Sequence, residues 1–158
     1  MALLKITPWS MTQYDRIQFL DGDVMPTKNL DCYFQLSHNT FTVGAVSPLN
    51  SGWFLAKPNL KHFEYLRERA IWRLGRDWDK VGGWGMGVGG EPMPPGVYYR
   101  GRDQLCTQWE FNGCDMDQGL LFHFFVLNNG DALLIDAQLR TATEFDEGNG
   151  YVITYRDY

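Results

Sequence analysis

This sequence is poor in cysteine and in long apolar runs. Its three cysteines, at positions 32, 106 and 114, form an odd set without C-x-x-C spacing, which argues against a disulfide framework and against a structural zinc site. The first residues, MALLKITPW, contain no apolar run long enough for a signal peptide or a membrane span. The sequence therefore predicts no membrane-spanning segment here and leaves the compartment open between cytoplasm and Golgi.

Basic residues are also scarce relative to acidic ones. The chain has 14 lysines and arginines against 19 aspartates and glutamates, with a formal net charge of −5. Because no basic cluster alternates with the aromatic residues, a nucleic-acid partner is not expected. Hydrophobic residues make up 44% of the 158 positions, which is enough for the core of one ordinary domain.

Aromatic residues, in contrast, are abundant, with 6 Trp, 8 Tyr and 10 Phe. Such rings often line carbohydrate sites, but they also bury large areas in ordinary cores. Core packing is the predicted role for most of them.

Residues 1–158 are predicted to form a single domain that contains both strands and helices. Runs of strand length lie at 15–24, 41–46, 53–56, 131–139 and 151–155. One or two helical turns are predicted at 29–35. The Gly/Pro-rich segment at about 81–96 is predicted to be a long loop or a flexible insertion.

Two segments have the apolar spacing of a helix. The first runs from Asn59, a candidate N-cap, to Leu74, and Gly75 lies where a helix often ends. The second begins at Asp117 and ends near Asn128, Asn129 and Gly130. Its residues predicted to face inward are Leu120, Leu121, Phe124 and Phe125.

The first candidate for chemistry is the acidic turn Asp21-Gly22-Asp23. It follows an apolar strand, at the end where open α/β sheets place their ligands. Two carboxylates one residue apart can bind one hard cation such as Mg²⁺ or Mn²⁺, which keeps positions open for diphosphate oxygens. The alternative is an acidic turn that simply ends the strand.

The other candidates are two short polar segments. Asn50-Ser51-Gly52 precedes a predicted strand. The segment is either a tight turn that links two strands or a set of polar groups that approach sugar hydroxyls closely. Asp117 begins a predicted helix, and its simplest role is to cap that helix. Alternatively, Asp117 and Gln118 together make paired hydrogen bonds to vicinal hydroxyl groups.

These segments, in this order, resemble glycosyltransferase family 8, the group that includes glycogenin. LNSGWFLAKP is similar to the family's Phe-Asn-Ser-Gly turn and strand, and CDMDQGLLFHFF resembles its Asp-Gln-Gly-x-Leu-Asn-x-x-Phe motif. The resemblance covers about residues 5–127. In the stretch similar to the family's metal-binding segment, the residues in register are Lys5, Trp9, Thr12, Tyr14, Asp21, Asp23, Asn29, Leu30, Asp31 and Phe34.

The resemblance implies a GT-A, Rossmann-like α/β sandwich. It implies transfer of a hexosyl group, with retention, from a UDP-sugar donor to a carbohydrate or protein acceptor, with Mn²⁺ (or Mg²⁺) as the cofactor. It assigns the metal to Asp21 and Asp23 and catalysis to Asp117 and Gln118. The substrate-binding residues that it implies are Lys5, Asn50, Ser51, Gly52, Asp117 and Gln118.

The chain also departs from the family pattern. The family's N-terminal uridine-binding half and its C-terminal His-x-x-Gly-x-x-Lys-Pro motif have no counterpart, which implies an incomplete sandwich with an exposed sheet edge. The three histidines are expected to be packing or surface residues. An alternative is therefore a catalytically inactive remnant that acts as a binding or partner module. A two-carboxylate glycoside hydrolase is weaker, because Asp21 and Asp23 lie too close together on one turn.

Overall fold

The computed structural model describes residues 2–26, 29–43, 47–85, 109–136, 141–146 and 151–156. Within these ranges six strands form one mixed sheet: β1 (Ile17–Leu20), β2 (Asn39–Thr42), β3 (Asn50–Ala56), β4 (Ala132–Asp136), β5 (Thr141–Asp146) and β6 (Tyr151–Arg156). The α-helices are α1 (Ala2–Ile6), α2 (Leu60–Arg73) and α3 (Asp117–Leu121). Short 3-10 helices lie at Thr7–Ser10 and Asp31–Gln35. The predicted α/β class is therefore confirmed.

The strand order in the sheet is β1-β3-β2-β4-β5-β6. β3 pairs antiparallel with both β1 and β2, whereas β2 and β4 run parallel. The chain between β2 and β4 contains α2 and α3, which is the crossover that a parallel pair requires. Among the described strands β1 has a partner on one side only, so it forms an edge of the sheet.

Strand β3 shows how the sheet separates two apolar layers. Phe54 and Ala56 belong to the larger core, which also contains residues of α2 and α3. Trp53 and Leu55 point to the opposite face, where a smaller cluster includes side chains from 30–36. The alternation follows from the two-residue period of a strand. Most aromatic side chains described in the core, such as Trp9, are fully buried, as predicted.

Helix α2 has the predicted ends. The Asn59 side chain accepts hydrogen bonds from the backbone N–H groups of Lys61 and His62, and Gly75 adopts a φ of 75° just beyond the helix. Its apolar face is narrower than the spacing predicts, because Leu66 and Ala70 are its only fully buried residues. The remaining apolar positions of the predicted stripe include three that are exposed: Leu60, Ile71 and Leu74.

Helix α3 continues without a break into a π-helix at Phe122–Asn128. All four residues predicted to face inward are buried, and so are Phe122 and His123. The helix ends at Asn128, and Gly130 has a φ of 63°. A helix that is apolar around its circumference is enclosed by the fold, and this segment occupies the middle of the larger core.

Several predicted boundaries shift in the structure. β2 begins at Asn39, before the predicted start, and ends at Thr42, since residues 44–46 lie outside the described residues. β4 ends at Asp136, and residues 137–140 are likewise outside them. The pattern missed β5 altogether. Of the predicted insertion at 81–96, residues 81–84 form a turn and residues 86–96 lie outside the described residues.

No helix among the described residues is long and apolar enough to span a bilayer. Of the cysteines, Cys32 is exposed and Cys114 is buried, and both are free thiols; position 106 lies outside the described residues. The histidines pack as expected. His62 lies edge-on to two phenylalanine rings, His123 is buried in the core, and His38 contacts Asp131 at 3.0 Å.

Candidate functional site

The candidate site forms where the carboxyl end of β1 meets the beginning of β3. Because these strands are antiparallel, with Leu20 opposite Trp53, the turn after β1 lies beside the first residues of β3. The backbone N–H of Asp21 donates to the Gly52 carbonyl at 2.9 Å, which extends the pairing into the turn. Helix α3 packs against β3, so its first residues reach the same place.

A network of charges joins these elements. The Lys5 ammonium, from α1, donates to Asp21 Oδ2 at 2.7 Å and lies 2.9 Å from Asp117 Oδ2. It also contacts Ser51 Oγ at 3.2 Å. The Ser51 hydroxyl in turn donates to Asp117 Oδ2. One ammonium group therefore connects the turn after β1, the start of β3 and the start of α3.

The position of Lys5 accounts for its protonation. The side chain is only 14% exposed, and this burial opposes the positive charge. Hydrogen bonds and charge attraction from Asp21 and Asp117 outweigh burial, so the pKa of Lys5 lies above its ordinary value. Lys5 stays charged at neutral pH and is held by both carboxylates.

All eight residues singled out in the sequence lie around one cavity of about 310 Å³. Val24 completes its lining. The members come from segments more than 100 positions apart in the chain: Lys5, Asp21, Asp23, Asn50, Ser51, Gly52, Asp117 and Gln118. The structure thus brings together every predicted site residue.

The charges in this cavity are not balanced. It is lined by three carboxylates, of Asp21, Asp23 and Asp117, and by the single ammonium of Lys5. Two negative charges are left over. Asp23 is exposed, and its carboxylate makes no ion pair within the described part of the chain. A cavity with this surplus attracts cations and repels a bare anion.

The amide side chains on the cavity wall differ in how they are used. Asn50 Oδ1 accepts a hydrogen bond from the Gly52 N–H at 2.7 Å, which fixes the Asn50 side chain against the start of β3. Gln118 Oε1 is buried and has no hydrogen-bond partner among the described residues. Buried polar atoms in folded proteins are nearly always paired. In the ranges that the structure describes, Gln118 Oε1 is an exception to this rule, and it leaves an unused hydrogen-bond acceptor beside the cavity.

The donor set fits a hard divalent cation. Asp21 and Asp23 both line the cavity with their carboxylates, and Mg²⁺ is commonly held by one or two carboxylates together with water and substrate phosphates. The described residues include no cluster of three His, Cys, Asp or Glu that would hold a metal ion alone. A cation at Asp21 and Asp23 would take its other ligands from water and from a bound phosphate.

Two local predictions about the site are wrong. Asn50, Ser51 and Gly52 are not a turn: they begin β3, and the turn lies at 47–49. The pairing of Asn50 with Thr42 across a bulge, and of Gly52 with Asp21, extends the strand to include them.

Asp117 does not cap α3. The N-cap position is Met116, without a side-chain cap hydrogen bond. Asp117 is the first residue inside the helix, and its carboxylate is engaged by Lys5 and Ser51 instead.

Two glycines let the backbone approach closely around the site. A Cβ at Gly119 would lie 1.8 Å from the Cys114 carbonyl oxygen and 2.7 Å from Trp84 Nε1, so the residue after Gln118 has no room for a side chain. A Cβ at Gly52 would lie 3.1 Å from Asn50 Oδ1 and 3.8 Å from Asp21 Oδ2. Both glycines therefore fix the positions of neighbouring polar groups rather than contributing chemistry.

Sequence reasoning missed two features of the site. Val24 forms part of the cavity wall, yet one valine after an acidic turn carries no signal of its own. The link from Lys5 to both Asp21 and Asp117 was also not foreseen, because it joins residues that are distant in the chain.

Comparisons with known proteins add no identity to this picture. No protein-family model matches the chain, and neither a curated protein nor a solved structure matches it. The function is therefore argued from the site itself.

Proposed function

We propose that this chain carries the donor site of a metal-dependent glycosyltransferase that takes a hexosyl group from a UDP-sugar. The observation that carries the proposal is the single cavity that all eight residues line. Its lining is polar, with carboxylates, amides and a hydroxyl, and these are the groups that recognise sugar hydroxyls. A GT-A type of sandwich is the fold that we infer for this site.

The charge of the cavity determines how such a donor would bind. A nucleotide diphosphate is an anion, and the cavity holds two surplus negative charges. The donor would therefore bind together with Mn²⁺ or Mg²⁺ on Asp21 and Asp23. When bound, the cation neutralises the negative charge that develops on the departing diphosphate.

The protein side chains would orient the sugar for the transfer. The bond from the anomeric carbon to the diphosphate oxygen breaks, the acceptor oxygen bonds to that carbon, and the proton of the acceptor hydroxyl passes to the departing diphosphate. Asp117 Oδ2 is already engaged by Lys5 and Ser51, which suits a fixed acceptor for sugar hydroxyls better than a nucleophile. This favours a front-face route, in which Asp117 and Gln118 position the sugar rather than form a covalent bond to it.

A glycoside hydrolase is the less favoured alternative. Such an enzyme needs one protonated carboxyl group as general acid. Asp21 and Asp117 lie on different elements, as that mechanism requires, but Lys5 forms an ion pair with both. Both carboxyl groups are therefore already engaged. Release of free sugar without a metal ion would favour the hydrolase instead.

Calorimetric titration tests the proposal directly. UDP and UDP-glucose are titrated into the 158-residue chain with and without Mn²⁺. We expect micromolar binding that requires Mn²⁺ and is lost in the Asp21→Asn, Asp23→Asn double variant.

The chain offers a matched control at Asp77 and Asp79. They have the same spacing as the acidic turn and do not line the cavity. The Asp77→Asn, Asp79→Asn double variant removes the same charge and is expected to bind like wild type. A folded chain that binds neither ligand would contradict the proposal and favour a catalytically inactive binding or partner module.

A further inference from the structure

Lys5 lies where a cation would be needed. Its ammonium is within 3 Å of carboxylate oxygens of both Asp21 and Asp117 and contacts the Ser51 hydroxyl. Because both carboxylates lie within 3 Å of the same nitrogen atom, they are close enough to repel each other if no positive charge lies between them. Lys5 thus acts as a counter-ion supplied by the chain itself.

We propose that Lys5 competes with a divalent cation for Asp21, so that binding of the cation displaces the Lys5 ammonium from Asp21 toward Asp117. This inference deepens the proposed function and rests on it, because Asp21 and Asp23 are the metal ligands that the proposed function requires. Besides its role as counter-ion to the two carboxylates, Lys5 would then determine the affinity of the cavity for a metal ion before any nucleotide is present.

The physical basis is repulsion at short range. Asp21 Oδ2 is 2.7 Å from the ammonium, so a cation bound to the same carboxylate would face a like charge a few ångströms away in a partly buried site. The displaced ammonium has partners to retain, because Asp117 and Ser51 lie on its other side. A shift of the lysine side chain is therefore sufficient, without movement of a strand or helix.

The test measures Mn²⁺ binding alone, from the free Mn²⁺ signal in electron paramagnetic resonance. Wild type is compared with Lys5→Met and Lys5→Gln, which remove the ammonium, and with Lys5→Arg, which keeps a positive charge. We expect Mn²⁺ to bind at least about tenfold tighter to the first two variants, since a competing positive charge beside Asp21 is removed. Lys5→Arg is expected to stay within about twofold of wild type.

Lys57→Met is the matched control for charge. Lys57 is exposed and follows the far end of β3, about 20 Å from Ser51 at roughly 3.3 Å per strand residue. Salt screens a charge at that distance, so this variant is expected to bind Mn²⁺ like wild type. Circular dichroism checks that each variant is folded, and Lys5→Gln serves if Lys5→Met does not fold.

The outcomes separate this inference from the proposed function. Tighter Mn²⁺ binding in Lys5→Met or Lys5→Gln, with Lys57→Met unchanged, supports the competition even if UDP fails to bind. Equal or weaker Mn²⁺ binding in both Lys5 variants overturns it and leaves Lys5 as a residue that holds the carboxylates in place. Absence of Mn²⁺ binding in every chain overturns it as well.

Discussion

The acidic cavity and the aromatic core are neighbouring regions built on opposite principles. In the core, Trp9 stacks on Phe54 and Phe125 with ring centroids 5.2 and 4.9 Å away, and its indole N–H donates to Asn39 at 2.8 Å. The core thus combines dense packing of aromatic rings with a hydrogen-bond acceptor for the Trp9 indole N–H. The cavity instead is lined by three carboxylates and a single ammonium, which pairs with two of them. The difference separates a region whose groups satisfy one another from a region where negative charge is left unpaired among the described side chains.

A single strand carries both regions. The first three residues of β3 line the cavity, and from Trp53 onward its side chains enter the two apolar layers. Stability supplied by the second part of the strand holds the first part in place. Polar residues that gain little from folding can therefore remain precisely positioned.

The largest expected effect comes from the core. Replacing Trp9 with alanine removes a fully buried ring and one of the two hydrogen bonds that Asn39 Oδ1 accepts, so the free energy of unfolding is expected to fall by about 3–5 kcal/mol. Urea denaturation measures it. Trp72→Ala, which truncates a half-buried ring beside Arg76, is expected to cost about 1 kcal/mol. If both variants lost the same free energy of unfolding, the buried core around Trp9 would not be the region that stabilises the fold.

The second effect depends on pH and concerns His123. Its Nε2 lies 3.3 Å from Tyr65 Oη and 3.1 Å from Asn128 Nδ2, and burial, followed by the charge of Arg69, lowers its pKa to about 4. Between that pKa and the ordinary value near 6.5 the unfolded chain binds more protons at this residue. The contribution of His123 to the free energy of unfolding is therefore fully present above pH 6.5 and is lost as the pH falls toward 4.

We expect the free energy of unfolding to drop by about 2 kcal/mol between pH 7 and pH 5 from this residue alone. The measurement is urea denaturation at a series of pH values, with His123→Gln as the comparison. The variant is expected to show a shallower pH dependence in that interval, whatever its absolute stability. A variant with the wild-type slope would show that His123 is not the group responsible.

The smallest effect on stability is expected in the cavity. Asp23 is exposed, so Asp23→Asn is expected to change the free energy of unfolding by no more than about 0.5 kcal/mol. Mn²⁺-dependent binding of UDP is nevertheless expected to weaken by more than tenfold, since Asp23 is one of the two metal ligands in the proposed function. Asp77→Asn is the exposed control, with no change in either quantity. A large stability loss in Asp23→Asn would mean that the cavity also supports the fold.

Much of the local structure could be predicted from the sequence. The cap at Asn59 and the stop at Gly75 were readable because both act on the neighbouring backbone. The inward residues of the helix from Asp117 were correct for the same reason, since a strong apolar period leaves few choices. The position of most helices and strands along the chain, β5 excepted, could be predicted from such local signals.

Other features could not be predicted, because they depend on partners distant in the chain. Asn50 to Gly52 looked like a turn, and only pairing with β1 and β2 makes them strand residues. Asp117 looked like a helix cap, and only Lys5 and Ser51 draw its carboxylate away. The close contact between Gly119 and the Cys114 carbonyl likewise depends on the fold, since nothing local in the sequence indicates it.

The sequence by itself determined which residues carry polar chemistry and in what order, because short motifs record side-chain type and local spacing. The tertiary structure alone decided that these residues share one cavity, that Lys5 bridges two of its carboxylates, and that two negative charges remain there. The physical reason is range. Turns, caps and apolar periods act over a few residues, whereas charge pairing acts through space between segments that only the folded sheet brings together.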